Sequence, residues 1–190
     1  WIRAPEPEAL LNATIFFDMR PLAGDGSLAA ELRRALSELT RGNEIFLRMM
    51  SVNALAAPPP LGRLRDFVTA AEAGGTIDLK KFGSRIFVDA ARILALGAGI
   101  AATATAPRLR QAALEGAMAP ADAEAAVHAF HALQGIRLAA QAGNVDAGRT
   151  PGNQLDPEGL NEFDRRLLLD ALRQARTLQQ GLKTRFHIDT

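Results

Sequence analysis

Between Ile86 and Leu96 the chain reads Ile-Phe-Val-Asp-Ala-Ala-Arg-Ile-Leu-Ala-Leu, and no other stretch constrains the fold as much. The pattern predicts a helix over 85–100 that is apolar on nearly every side. Such a helix is stable only when neighbours cover it all round. It must therefore be central, with other elements wrapped about it. Asp89 and Arg92 interrupt it at an i,i+3 spacing, which lets them pair on its surface.

Helical patterns also fill most of the remaining chain. A helix over 8–19 carries Leu11, Ile15 and Phe16 on one side, and Pro21 with Gly24-Asp25-Gly26 stops it. Ser27 is placed to cap a second helix, where Leu28, Leu32, Leu36 and Leu39 recur at helical spacing. Gly42-Asn43 breaks the chain and opens a third, with Phe46, Met49 and Met50. The run Ala57-Pro58-Pro59-Pro60-Leu61-Gly62 is a stiff, non-helical connector. Over 63–84, Phe67-Val68-Thr69 and Thr76-Ile77-Asp78-Leu79 flank Gly74-Gly75, a pattern open to a short hairpin. A short helix over 107–117 precedes a long one over 120–142 with Pro120 in its first turn. Val127, Phe130, Leu133 and Ile136 form its apolar stripe, which Arg137 and Gln141 extend. A Gly- and Asn-rich loop covers 143–156. The last helix, over 160–186, turns Phe163, Leu167, Ala171, Leu178 and Leu182 inward. The expected fold class is all-α, a helical bundle with a small non-helical insertion around 63–84, in a single domain over 1–190.

Composition removes several functional classes. A net charge of +1 provides no field to draw nucleic acid or anionic lipid. There is no tyrosine and one tryptophan, so stacking platforms for bases are sparse. With no cysteine, disulfides and thiolate metal sites are excluded. The uncharged stretch 93–107 spans fifteen residues, too few to cross a bilayer. A cytoplasmic protein is expected. The chain opens Trp1-Ile2-Arg3 without methionine and reads as the C-terminal part of something longer.

No catalytic residue emerges. His128 and His131 share a helix face, but no carboxylate completes a metal pattern, and they read as surface residues. Gly97-Ala98-Gly99 follows a helix and not a strand, unlike a dinucleotide loop. Ser27, Ser37, Ser51 and Ser84 lie in no nucleophile elbow.

The charges set into apolar surroundings are harder to dismiss: Asp18, Arg20, Asp78, Lys80, Arg92, Arg108 and Arg137, with Gln141 beside them. Burying a charge is costly unless it is paired. Nineteen of the 22 basic residues are arginine, the side chain suited to gripping phosphate or carboxylate with two parallel hydrogen bonds. Two readings stand open. The cations converge on a concavity and bind phosphate, or Asp18, Asp78 and Asp89 neutralise them in a network that ties helices together.

These same residues carry a family likeness. In order come Ile15-Phe16-Phe17-Asp18-Met19-Arg20 with Gly24-Asp25, Pro58-Pro59-Pro60-Leu61-Gly62, Ile77-Asp78-Leu79-Lys80 and Ala91-Arg92-Ile93-Leu94-Ala95-Leu96. Thr105 with Arg108-Leu109, Arg137-Leu138 with Gln141, and Asn153 ahead of Leu160 complete the series. It resembles the nucleotidyltransferase substrate-binding domain of bacterial signal-transduction proteins, over nearly the whole chain.

The resemblance implies a preceding nucleotidyltransferase domain similar to the protein-PII uridylyltransferase, often with CBS and cyclic-nucleotide-binding modules further upstream. It implies that magnesium and a nucleoside triphosphate serve the parent protein and bind that upstream domain, since no Gly-Ser turn with an Asp-x-Asp pair occurs here. The chain alone is then inert. Asp18, Arg20, Asp78, Lys80, Arg92, Arg108, Arg137, Gln141 and Asn153 would contact nucleotide phosphates or the acceptor. The implied partners are the upstream domain and a regulatory protein acceptor, with a homodimer open and no nucleic acid or membrane. The rival is a non-catalytic interaction module that docks through Phe46, Met49, Met50 and the Pro58–Pro60 connector.

Overall fold

The computed structural model describes residues 2, 3, 5, 10, 14–62, 67–69 and 75–189. Among these are six α-helices: α1 (Gly26–Thr40), α2 (Glu44–Leu55), α3 (Arg85–Ala98), α4 (Thr105–Leu114), α5 (Pro120–Asp146) and α6 (Glu162–Arg185). Two short strands, β1 (Ile77–Asp78) and β2 (Gln154–Leu155), form a single antiparallel pair. The architecture is all-α, as the apolar periodicity requires. Of the helix expected over 8–19, residues 8, 9 and 11–13, Leu11 included, lie outside the described set; its described end is a 3₁₀ turn, Thr14–Asp18.

The chain divides into two compact units. The first comprises Trp1–Ala56, Val88–Glu124 and Gly181–Thr190; the second comprises Ala57–Phe87 and Ala125–Gln180.

In the first unit, Asp25 and not Ser27 caps α1. The Asp25 carboxylate accepts a hydrogen bond from the Ser27 amide at 2.9 Å, and the helix begins one residue before the serine. Gly42, at φ +68°, makes the turn into α2, where the Asn43 side chain accepts from the Phe46 amide. Phe17 and Phe46 meet edge to face with ring centroids 5.8 Å apart. A Cβ on Gly97 would lie 3.1 Å from a Leu47 methyl, so the glycine lets α3 approach α2 closely. The buried Thr40 hydroxyl donates to the Leu36 carbonyl and also reaches Leu96 of α3.

Leu28, Leu32 and Leu39 of α1 are exposed, as are Ile15 and Leu22, so the regular leucine spacing does not mark a buried face. Conversely, Phe46, Met50 and Pro59, offered above as an adaptable docking surface, are buried.

In the second unit, β1 does pair antiparallel, but not across Gly74-Gly75. Its partner is β2, with Ile77 opposite Leu155 and Asp78 opposite Gln154, and the Leu79 amide extends the ladder to the Asn153 carbonyl. Of the insertion's other residues, 63–66 and 70–74 lie outside the described set. The Asp78 carboxylate accepts from the Lys80 and Lys81 amides and starts a π-helical turn, Lys80–Ser84, that leads into α3. Gly83 in that turn lies against Leu133 of α5, where a Cβ would fall 2.9 Å from a leucine methyl. Phe87 and Phe130 pack at 5.9 Å. The proline connector is held by α6: Arg176 donates to the Leu61 carbonyl and Gln179 to the Ala57 carbonyl. Helix α5 runs through Gly143 to Asp146, and Gly148, at φ +68°, turns the chain out of it. Phe163 is 75% exposed on α6, contrary to its expected inward position.

Candidate functional site

The first unit gathers three of the nine expected residues, Asp18, Arg92 and Arg108, into one clasp. The 3₁₀ turn ends on Asp18, α3 carries Arg92 and α4 carries Arg108. One carboxylate serves both arginines: Arg92 Nη2 donates to Asp18 Oδ2 at 2.5 Å and Arg108 Nη1 to Oδ1 at 2.6 Å. Arg92 Nη1 also holds Asp89 at 2.8 Å, the i,i+3 pair that the α3 pattern allows. Arg108 spends its remaining reach on backbone, donating from Nε to Ala102 and from Nη2 to Phe17.

Burial by itself raises the Asp18 pKa, but the Arg92 and Arg108 guanidiniums outweigh it and hold the carboxyl below the ordinary value. The two arginines diverge. Burial pulls Arg92 down, yet Asp18 and Asp89 together leave its pKa raised. Arg108 is pulled down by burial, has only Asp18 to counter it, and feels the charges of Arg92 and Arg33; its pKa stays lowered. With their forks occupied, Arg92 and Arg108 brace three segments of chain. Arg20, next in sequence to this clasp, is exposed and makes no hydrogen bond or ion pair among the described residues.

The second unit contains the other five: Asp78, Lys80, Arg137, Gln141 and Asn153. Helix α5 presents Arg137 and Gln141 one turn apart. Gln141 Nε2 donates to the Gly152 carbonyl at 3.2 Å, and the adjacent Asn153 carbonyl accepts from Leu79 of the β1 segment. Asp78 sits opposite Gln154 in that pairing, and Lys80 follows it, exposed. Arg137 Nη1 donates to Gln134 Oε1 at 3.2 Å, a partner the sequence reading missed although its i,i−3 spacing was visible.

Two atoms in this cluster are buried without a hydrogen-bond partner among the described residues, Arg137 Nε and Asn153 Oδ1. One is a donor and the other an acceptor. A cavity of about 620 Å³ also opens in this unit, lined by Gly135, Ile136 and Ala139 with polar Asn144, Gln154 and Asp156.

Among the described residues, no group of three or more His, Cys, Asp or Glu side chains is placed to hold a metal ion. His128 and His131 are both exposed. No helix of the described residues is long and apolar enough to cross a membrane.

Residues 44–186 match the family described as "Putative nucleotidyltransferase substrate binding domain". No curated protein and no solved structure matches. The match begins with α2, so Asp18, Arg20 and α1 lie outside it, whereas Asp78, Lys80, Arg92, Arg108, Arg137, Gln141 and Asn153 fall within. With three-quarters of its length covered in this way, the chain belongs to the nucleotidyltransferase substrate-binding domain family.

Proposed function

We propose that this chain binds substrate for a nucleotidyltransferase of the protein-PII uridylyltransferase type, with nucleotidyl transfer carried out by a separate catalytic domain. Arg137 and Asn153 contact the substrate, Lys80 adds positive charge, and Gln141 and Asp78 position the loop and the turn around them. Asp18, Arg92 and Arg108 brace the fold and do not meet the ligand.

The observation that carries this reading is the pair of buried, unmet atoms at Arg137 and Asn153. A buried polar group without a partner costs about 1–3 kcal/mol, so natural folds keep few of them. A phosphate oxygen satisfies the arginine donor, and a ribose hydroxyl or an amide of the acceptor satisfies the asparagine acceptor.

Calorimetric titration of the full chain with UTP tests it. Arg137→Gln should weaken binding by tenfold or more, the loss of a charged hydrogen bond of about 1.5–3 kcal/mol, with Tm nearly unchanged. An unchanged isotherm with a lowered Tm would overturn the reading. The chain incubated alone with labelled UTP and magnesium should transfer nothing.

A further inference from the structure

Arg92 and Arg137 repeat one local geometry with opposite chemistry. Each lies on an α-helix and donates from Nη1 to the side chain three residues earlier. Arg92 reaches the Asp89 carboxylate at 2.8 Å, and Arg137 reaches the Gln134 amide oxygen at 3.2 Å. The helix itself sets this arrangement. Side chains lean toward its N-terminus, so an arginine lies over the residue one turn before it. The sequence chooses only what the arginine meets there: an acid on α3, a neutral amide on α5.

That choice decides how much charge is left over. Arg92 gives Nη1 to Asp89 and Nη2 to Asp18, so its charge is spent inside the fold. Arg137 makes no ion pair among the described residues, and Gln134 is its one side-chain partner there. The Gln134 side chain has no other hydrogen bond among the same residues. An amide oxygen orients a guanidinium through a hydrogen bond but brings no negative charge to cancel it. An unheld arginine has many rotamers, some of which turn Nε to water. Here Nε stays buried and unmet although Arg137 as a whole is half-buried, and the tether on Nη1 accounts for that.

We propose that Gln134 is a positioning residue for the substrate site: it holds the Arg137 guanidinium by Nη1, keeps Nε turned inward and leaves the full positive charge to an anionic group of the substrate. This rests on the reading of Arg137 as a substrate contact. It adds a rule of specificity. A carboxylate at position 134 would make Arg137 a brace like Arg92, and an aliphatic side chain would leave it charged but loose.

Variants of the full chain, titrated with UTP by calorimetry in low and in high salt, test this role. Gln134→Glu should weaken UTP binding tenfold or more with Tm unchanged or raised. Its affinity should also fall less steeply with salt than that of the unaltered chain, since the paired site carries less charge. Gln134→Leu should weaken binding about three- to tenfold, the worth of one hydrogen bond, while keeping the unaltered salt dependence. It should also speed solvent exchange of the Arg137 Nε–H, followed by NMR without ligand. In the Arg137→Gln background, Gln134→Leu should cost nothing further, because it acts through the arginine. A merely structural glutamine would lower Tm and leave the salt dependence alone. The role is overturned if Gln134→Glu binds UTP like the unaltered chain, if Gln134→Leu changes neither affinity nor exchange, or if the two losses add in the double variant. Should any of these occur while Arg137→Gln still impairs binding, the positioning role falls and the substrate reading stands. No UTP binding by the unaltered chain removes both.

Discussion

Two groups of charged residues, both set in helical surroundings, have opposite fates. In the first unit, Asp18 takes both Arg92 and Arg108, Asp89 takes the remaining reach of Arg92, and backbone carbonyls take the rest of Arg108. In the second unit, Arg137 has one side-chain partner, Gln134, and its Nε is unmet, as is Asn153 Oδ1. The difference lies in carboxylates. The clasp has two acidic side chains within reach, whereas the acid of the other group, Asp78, is engaged by the amides of Lys80 and Lys81. Charge in an apolar setting is therefore ambiguous until its counter-ion is located. A guanidinium with its acid is structure, and one without it is available to a ligand.

The largest expected effect breaks the clasp. Asp18→Asn leaves Arg92 with only Asp89 and Arg108 with no carboxylate, and should cost about 3–5 kcal/mol by chemical denaturation. A loss below about 1 kcal/mol would remove the contrast, since the clasp would then not be structural. Arg137→Gln is the counterpart. It should change stability by less than about 1 kcal/mol, because it removes a group that is already incompletely satisfied, while UTP binding falls.

Acid sharpens the comparison with a smaller effect. Asp18 has a folded-state pKa below its ordinary value of 3.8, so the unfolded chain binds the proton more readily. The stabilisation is complete above that value and is lost as pH falls through the folded-state pKa. Thermal scans between pH 2 and pH 6 should show this loss at the acid end, with a shallower slope in Asp18→Asn. Equal slopes would mean that Asp18 is not the linked group. The smallest effect is expected at Leu32. Exposed on α1, Leu32→Ser should stay within about 0.5 kcal/mol, whereas a leucine packed in a core would cost about 2–5 kcal/mol on truncation.

Leu32 also marks where the sequence becomes illegible. The spacing Leu28, Leu32, Leu36, Leu39 identifies a helix with an apolar side, and α1 is such a helix, but spacing does not say whether anything covers that side. Phe163 fails for the same reason. The cap of α1, expected at Ser27, lies at Asp25, which has an extended backbone and whose carboxylate accepts from the Ser27 amide. By contrast, α3 was legible because its pattern left no choice: Ile86, Phe87, Ala90, Ala91 and the run from Ile93 to Leu96 are all buried. The candidate site was half legible. Arg137 and Gln141 stood out as polar residues on an apolar stripe, and Asn153 through the family likeness. That Asp18 would neutralise arginines was one of the two open readings; that its partners are Arg92 and Arg108, far away in sequence, was not visible.

The helices, their breakers and their approximate ends followed from the order of residues, since each depends on neighbours within a few positions: 3.6-residue periodicity, capping side chains, proline and glycine. What folding in three dimensions decided was partnership. Asp18 meets Arg92 across 74 positions and Arg108 across 90, and Ile77 pairs with Leu155 instead of with a strand beside it in sequence. Ion pairing and ladder formation depend on which groups the packed core brings within a few ångströms, and no local pattern encodes that distance.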